Sequence, residues 1–321
     1  MYHILVPDNL DKAGLRLLEA AEGITVQAAA KMSREEVLAA IPNADALIIR
    51  SATKVDRAML DAAPKLKLIG RAGVGVDNVD LAAATERGVI VMNAPDGNTV
   101  ATAELTLGLM LALARHIPAA DGSLKAGQWE RKAYLGIELR GKTLGLIGFG
   151  RVGRAVAKRA AAFEMTIIAY DPYISQEAAA PYGVQMVALD ELYARADFIS
   201  LHALVTQENY HMINAESIAK MKNGVRIIND SRGALIDEQA LADAIRSGKV
   251  AGAALDVYEE EPPKPDNPLI GLPGVIHTPH LGASTLEAQD EVAVQIAQQT
   301  LDALFKGEYR NVVNPDVLKR P

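Results

Sequence analysis

The sequence has 321 residues, half of them apolar and 23% charged, with a formal net charge of -7 and no cysteine. That length exceeds the size at which one core usually stops growing, so two domains are expected, and the acidic balance argues against nucleic acid or an anionic membrane surface as the main partner. Lack of cysteine excludes disulfides, thiolate nucleophiles and thiolate metal sites, and the opening MYHILVPDNL lacks the pattern of a secretory signal, so a cytoplasmic protein is expected.

Along the first hundred residues short β-branched runs alternate with helical stretches: HILVPD, a helical EEVLAAI, ALIIR, a helical AMLDAAP, KLKLIGRAG, a helical LAAATERG and VIVMNAP. This rhythm predicts βαβ units around a parallel sheet buried on both faces. The turn-rich NAPDGNT then leads into an apolar helix whose greasiest part, LTLGLMLALARHI (105–117), is short of the roughly 20 residues that span a bilayer. It is expected to be covered by its own chain or by a second copy. A second series follows, TLGLIGFG, MTIIAYD, ADFISLH, VRIINDSRG, VAGAALDVY and GVIHTPH. Ser284, with Glu287 three residues on, predicts a capping box for a long final helix. The expected fold is α/β, with two Rossmann-like parallel-sheet domains: residues 99–285 form one, and 1–98 with the returning 286–321 form the other.

GLIGFGRVGR contains Gly148, Gly150 and Gly153 between a strand and an alanine-rich helix. In that setting Gly148 makes the tight turn, Gly150 admits a pyrophosphate to the backbone, and Gly153 lets the helix pack on the strand. The phosphates would meet free amides at the helix N-terminus. Asp171 ends the next strand, where a carboxylate accepts hydrogen bonds from an adenosine ribose and repels a ribose phosphate. The expected cofactor is therefore NAD, with Arg151 as a possible pyrophosphate partner.

In a doubly wound sheet ligands sit beyond the C-terminal ends of the strands. Arg232 follows VRIIND, a cluster of Glu259, Glu260 and Glu261 follows ALDVY, and His280 follows VIHTP. Histidine exchanges protons near neutrality, an adjacent glutamate favours its imidazolium, and a guanidinium grips a carboxylate through two parallel hydrogen bonds. The set suits hydride transfer between NAD and a 2-hydroxy or 2-oxo acid. Chemistry alone does not choose among the three glutamates; His277, inside an apolar run, reads as structural, and His202 at a strand end can approach the cofactor. No spacing suggests a metal.

These residues carry a resemblance to the D-isomer-specific 2-hydroxyacid dehydrogenases, nearest to the branch that acts on D-3-phosphoglycerate. Its strongest stretches are RSATKV, GRAGVGVDNVDLAAATERGVIVMNAPDGNTVATAELT, WERKAYLGIELRGKTLGLIGFGRVGR, SRGALIDEQAL, AGAALDVYEEEPP and HLGAST. The resemblance implies a discontinuous substrate domain of flavodoxin-like topology and a central NAD domain. It gives Arg232 the substrate carboxylate, makes His280 the acid/base, and selects Glu261 as its partner. It also implies that Arg151, Val152 and Asp171 touch NAD, that Asp256, Gly282 and Ala283 lie at the nicotinamide end, and that Arg50, Ser51, Gly73, Val74 and Gly75 face substrate.

Where the family commonly has H-T-P this chain has His202, Ala203 and Leu204; Val74 replaces a frequent threonine, and Asp230 stands where a small neutral residue is usual. At Val74, His202 and Ala203 backbone groups are expected to keep the cofactor contacts, whereas Asp230 either repels cofactor phosphate or points elsewhere. The resemblance further implies a homodimer through the central domain. Longer members add a C-terminal domain that binds serine, so that regulation is not expected here. The expected activity is oxidation of D-3-phosphoglycerate, for which Arg50, Lys54, Arg71, Arg131 and Lys132 offer phosphate-binding charge; the alternatives are a glyoxylate or hydroxypyruvate reductase and a non-catalytic NAD-sensing module.

Overall fold

The β-branched runs of the sequence become parallel strands. The computed structural model describes residues 1–319. In chain order the elements are β1 (Tyr2–Val6), α1 (Lys12–Glu19), β2 (Ile24–Ala28), α2 (Arg34–Ala40), β3 (Ala46–Ile49), α3 (Arg57–Asp61), β4 (Leu68–Arg71), α4 (Leu81–Glu86), β5 (Ile90–Asn93), α5 (Thr99–Ala114) and α6 (Ile117–Lys125). Then come β6 (Thr143–Ile147), α7 (Arg151–Ala161), β7 (Thr166–Tyr170), α8 (Gln176–Ala179), β8 (Gln185–Met186), α9 (Leu189–Arg195), β9 (Phe198–Leu201), α10 (Ala215–Lys220), β10 (Val225–Asn229), α11 (Glu238–Arg246), β11 (Val250–Leu255), β12 (Val275–His277) and α12 (Leu286–Lys306). The chain divides into two compact units, residues 1–98 with the stretch from Ala283 onward, and residues 99–282.

In the first unit the sheet order is β2-β1-β3-β4-β5, with every pairing parallel. This is the flavodoxin-like order, with its switch point between β1 and β3. Ile4, Val6, Ile48 and Leu68 pack on one side with Ile296 and Ala297 of α12, and Leu5, Leu47, Ile49 and Ile69 on the other. Each such side chain contributes about 1.5–3 kcal/mol when fully removed from water. α1 and β2 have no counterpart in the sequence reading. Gly14 weakens the helical signal of α1 yet is required there, because a Cβ would lie 2.6 Å from the Ala293 carbonyl oxygen of α12. β2 is an edge strand, largely exposed, so it carries no continuous apolar run.

In the second unit the order is β12-β11-β10-β9-β6-β7-β8, again parallel throughout. The chain reverses direction across the sheet between β6 and β9, which opens the crevice at the C-terminal ends of those strands. Two corrections concern the helices. The apolar helix stops at Ala114 instead of running to Ile117, because His116 turns left-handed (φ 54°) and α6 begins at Ile117 with Pro118 in its first turn. The cap of α12 is Thr285, whose side chain accepts from the Ala288 amide 3.1 Å away, and not Ser284. α5 is covered mainly by α7 and the sheet of its own unit, as buried Leu107, Met110 and Leu113 show. Among the described residues no single helix is long and apolar enough to cross a membrane.

Candidate active site

The glycine loop leaves β6 at the switch point. Gly148 has φ +95°, and a Cβ there would meet the His202 carbonyl oxygen at 2.5 Å, so loop and β9 terminus touch backbone to backbone. A Cβ on Gly153 would lie 2.4 Å from the Gly148 oxygen, whereas one on Gly150 would meet nothing within 4 Å. Gly150 precedes α7 and gives it no side-chain cap, so the first amides of the helix face the open side of the loop with Arg151 exposed and Val152 half-buried. Asp171 accepts from the Phe149 amide through Oδ2 (2.8 Å) and from the Tyr173 amide through Oδ1 (2.9 Å), and each oxygen retains a lone pair. An uncapped helix start, an unfilled Cβ position and a carboxylate with spare acceptors fit a dinucleotide.

Across the sheet, the ends of β10, β11 and β12 bring three predicted side chains together. His280 Nδ1 and Glu261 Oε2 are 2.7 Å apart, and Glu261 Oε1 accepts from the Tyr258 amide. His280 is left-handed (φ 53°) and half-exposed, and its amide donates to the Asp256 carbonyl at 2.8 Å. Hydrogen bonding to Glu261 raises the His280 pKa against the opposing effect of burial. Burial, the largest single influence on Glu261, pushes it up, but the bond and charge of His280, the Tyr258 amide and Arg232 together outweigh it and hold the carboxyl below its ordinary value. Arg232 donates to the Ser231 carbonyl at 2.7 Å, and Asn229 fixes its backbone by donating to the Arg232 carbonyl at 2.9 Å.

Asp256 is fully buried and accepts from the Thr278 hydroxyl and from the amides of Leu281 and Gly282, at 2.6, 2.7 and 2.8 Å. Its carboxylate thus organises the loop that carries His280, while Gly282 is tied to α5 through the Thr102 hydroxyl. Ala283 begins the returning segment of the first unit. The side chains of His202 and Asp230 turn into the core, His202 bonding Ser200 at 2.8 Å and Asp230 bonding Thr106, so of the two readings of Asp230 it is the one that points elsewhere. Ala203 is half-exposed beside them.

In the first unit Arg50 and Ser51 follow β3 at that sheet's own switch point. Buried Asp8 accepts from the Arg50 amide (2.6 Å) and from the amide and hydroxyl of Thr53, and Asn78 donates to the carbonyls of Arg50 and Thr53. Gly73, at φ +145°, leads into Val74 and Gly75, and the Val74 carbonyl accepts from Asn93 at 2.6 Å. Arg50 and Arg71 are half-buried, and Lys54, Arg131 and Lys132 are exposed.

Sequence reasoning missed Asp8 and Asn78, and weighed Glu259 only as an alternative to Glu261. Glu259 accepts from the Tyr210 hydroxyl and pairs with His211 at 3.1 Å, while its amide donates to Glu238, so the loop leading to Glu261 is clamped from outside. The only signal was position next to a strand end. Among the described residues no group of three or more His, Asp or Glu is arranged to hold a metal.

Residues 107–282 match the family described as D-isomer specific 2-hydroxyacid dehydrogenase, NAD binding domain. Over 316 residues, 98% of this chain and 60% of the relative, the sequence is 54% identical to a D-3-phosphoglycerate dehydrogenase of Methanocaldococcus jannaschii. It is 46% identical to the Homo sapiens D-3-phosphoglycerate dehydrogenase over 98% of this chain and 59% of that one. The chain spans about three fifths of the length of these curated relatives. A solved glyoxylate reductase from Paecilomyes thermophila is 34% identical, with a TM-score of 0.88 over 97% of this chain and 98% of that chain. The chain belongs to the D-isomer-specific 2-hydroxyacid dehydrogenases, and its second unit carries their NAD-binding domain.

Proposed function

We propose that the chain catalyses reversible, NAD-dependent oxidation of D-3-phosphoglycerate to 3-phosphohydroxypyruvate. The observation that carries the reading is the His280–Glu261 pair with Arg232 acting on both, in a chain 54% identical to a D-3-phosphoglycerate dehydrogenase. The glycine loop, Arg151, Val152, Asp171 and the end formed by Asp256, Gly282 and Ala283 hold NAD, with backbone groups at His202, Ala203 and Asp230 lining its crevice. When bound, NAD supplies the acceptor for the hydride from C2 of the substrate.

Arg232 holds the substrate carboxylate by a two-pronged contact and draws charge toward the C2 oxygen. His280 Nδ1 is engaged by Glu261, so Nε2 takes the C2 hydroxyl proton during oxidation and returns it during reduction. The first unit supplies the substrate domain, with Arg50, Ser51 and the Gly73, Val74, Gly75 turn facing substrate. Arg50, Lys54 and Arg71 favour a phosphorylated substrate, with Arg131 and Lys132 contributing where a second copy brings them. Exposed Ile117, Leu124, Trp129 and Leu135 support pairing of two copies through the second unit.

Comparing 3-phosphohydroxypyruvate, hydroxypyruvate and glyoxylate with NADH at low and moderate ionic strength tests the substrate. The phosphorylated acid should have the highest kcat/KM, and its advantage should shrink as salt rises. Preference for an unphosphorylated acid would move the reading to the reductase suggested by the 34% identical glyoxylate reductase. Normal NAD titration without turnover of any 2-hydroxy acid would leave a binding module.

A further inference from the structure

Asp230 is a carboxyl in the core of the second unit with few partners. Its Oδ2 reaches the Thr106 hydroxyl, and its Oδ1 has no hydrogen-bond partner among the described residues. The groups facing it are Thr106 from α5, His202 after β9 and Asp256 after β11. His202 Nδ1 lies 3.6 Å from Oδ1, beyond hydrogen-bonding distance, and is itself unpartnered. Asp256, in contrast, accepts from three donors and is satisfied as a carboxylate. A buried carboxylate served by the Thr106 hydroxyl and its own backbone amide, and facing a second carboxylate, would be heavily penalised.

The proton count offers an escape. Thr106 has one hydroxyl proton, yet its oxygen lies 2.9 Å from the Thr102 carbonyl as well as beside Asp230. If that proton goes to Thr102, the remaining contact is satisfied only when Asp230 is the donor. We propose that Asp230 is a neutral acid that donates to Thr106, and that this bond is a positioning contact for Arg232. The chain Asp230 to Thr106 to Thr102 then anchors β10's end to α5. From that anchor Asn229 ties down the Ser231 amide, the Ser231 hydroxyl and the Arg232 carbonyl.

The electrostatics agree with the geometry. Burial raises Asp230 to about 7 and lowers His202 to about 3, so the neutral pair prevails below neutrality. Ionisation of Asp230 would remove the donor and set its charge against Asp256. A residue two positions before Arg232 would then loosen the segment that presents the guanidinium. The role assigned to Arg232 rests on the proposed function; the protonation state of Asp230 does not.

The test compares wild type, Asp230→Asn and Asp230→Ala by two readouts. In the first, the thermal midpoint of the cofactor-free protein is followed against pH. Because the folded value lies above the ordinary 3.8, the stability linked to the proton is present at low pH and is lost as pH rises to about 7. Wild type should therefore lose ground to Asp230→Asn across that interval, with a constant difference above it. In the second, KM for the 2-oxo acid should climb several-fold through neutrality in wild type but not in Asp230→Asn, which keeps an N–H donor for Thr106. Asp230→Ala should have a raised KM at every pH. Parallel midpoint curves for wild type and Asp230→Asn would overturn the neutral acid. An Asp230→Asn enzyme as impaired as Asp230→Ala, or KM profiles that coincide with wild type, would overturn the positioning role. Absence of turnover with every 2-oxo acid would overturn that role together with the reading of Arg232, while the midpoint curves would still decide the neutral acid.

Discussion

His280 and Glu261 approach to 2.7 Å through Nδ1 and Oε2, which commits one ring nitrogen and leaves the other for substrate. The bond fixes the tautomer of the neutral ring and steadies the imidazolium. Its linkage to stability has two signs. The raised pKa of His280 gives stability that is present below the ordinary 6.5 and lost as pH climbs through the folded value. The lowered pKa of Glu261 gives stability present above the ordinary 4.5 and lost as pH falls through its folded value. The pair is therefore most stabilising between those ordinary values, and its half-exposed position keeps the contribution modest.

Replacing His280 with alanine should lower kcat by about 10²- to 10⁴-fold, the range for loss of a positioned acid/base. NADH affinity should be nearly unchanged, because the glycine loop and Asp171 follow β6 and β7, strands not adjacent to β12. Steady-state kinetics with a separate NADH titration checks both, and near-normal turnover would remove His280 from the mechanism.

Glu261→Gln should move the pH profile as well as lower the rate. Reduction needs the imidazolium, so the rate falls as pH rises through the His280 pKa; losing the carboxylate lowers that pKa and shifts the falling limb toward acid. In the oxidative direction the rising limb should shift the same way. Profiles of kcat/KM in both directions test this, and limbs that stay in place would mean that another group titrates.

The parts of the site that lie on the backbone path were legible in the sequence. Gly148, Arg232 and His280 follow strands whose apolar runs are unmistakable, and a parallel sheet sends all such residues to one edge, whereas Glu261 was separated from Glu259 and Glu260 by the family resemblance alone. What was illegible depends on tertiary contact. Gly14 breaks the helical pattern of α1 but permits its approach to Ala293, and edge strand β2 has no buried run to reveal it. For Asp230 the sequence leaves open whether it repels cofactor phosphate or points elsewhere, until the fold turns its side chain toward Thr106. Asp8 lies far in sequence from the Arg50 and Thr53 groups it holds, so only the β1–β3 pairing brings them together.

Wild type should use NAD in preference to NADP. Both Asp171 oxygens already accept backbone amides, which fixes the carboxylate beside the glycine loop, where a ribose phosphate would meet its negative charge. Asp171→Ala should narrow the ratio of kcat/KM for the two cofactors chiefly by weakening NAD. A wild-type enzyme equally efficient with NADP would show that the carboxylate does not lie on the adenosine ribose.

The three glycines of the loop should separate by what a methyl group would strike. At Gly150 the backbone is not left-handed and the Cβ position is open, so Gly150→Ala should fold with nearly unchanged stability. That open position is where the pyrophosphate must approach the amides of α7, so NADH affinity should fall by about tenfold or more. At Gly153 the methyl would press on the Gly148 carbonyl oxygen, forcing α7 away from β6. At Gly148 it would strike the His202 carbonyl oxygen from a backbone at φ +95°. Both alanine variants should therefore lose about 1–3 kcal/mol of stability in addition to cofactor affinity. Thermal midpoints of the cofactor-free proteins, set beside NADH fluorescence titrations, divide the two effects. Normal NADH affinity in Gly150→Ala would place the pyrophosphate elsewhere, and unchanged midpoints in the other two would mean that the loop and β9 can part without cost.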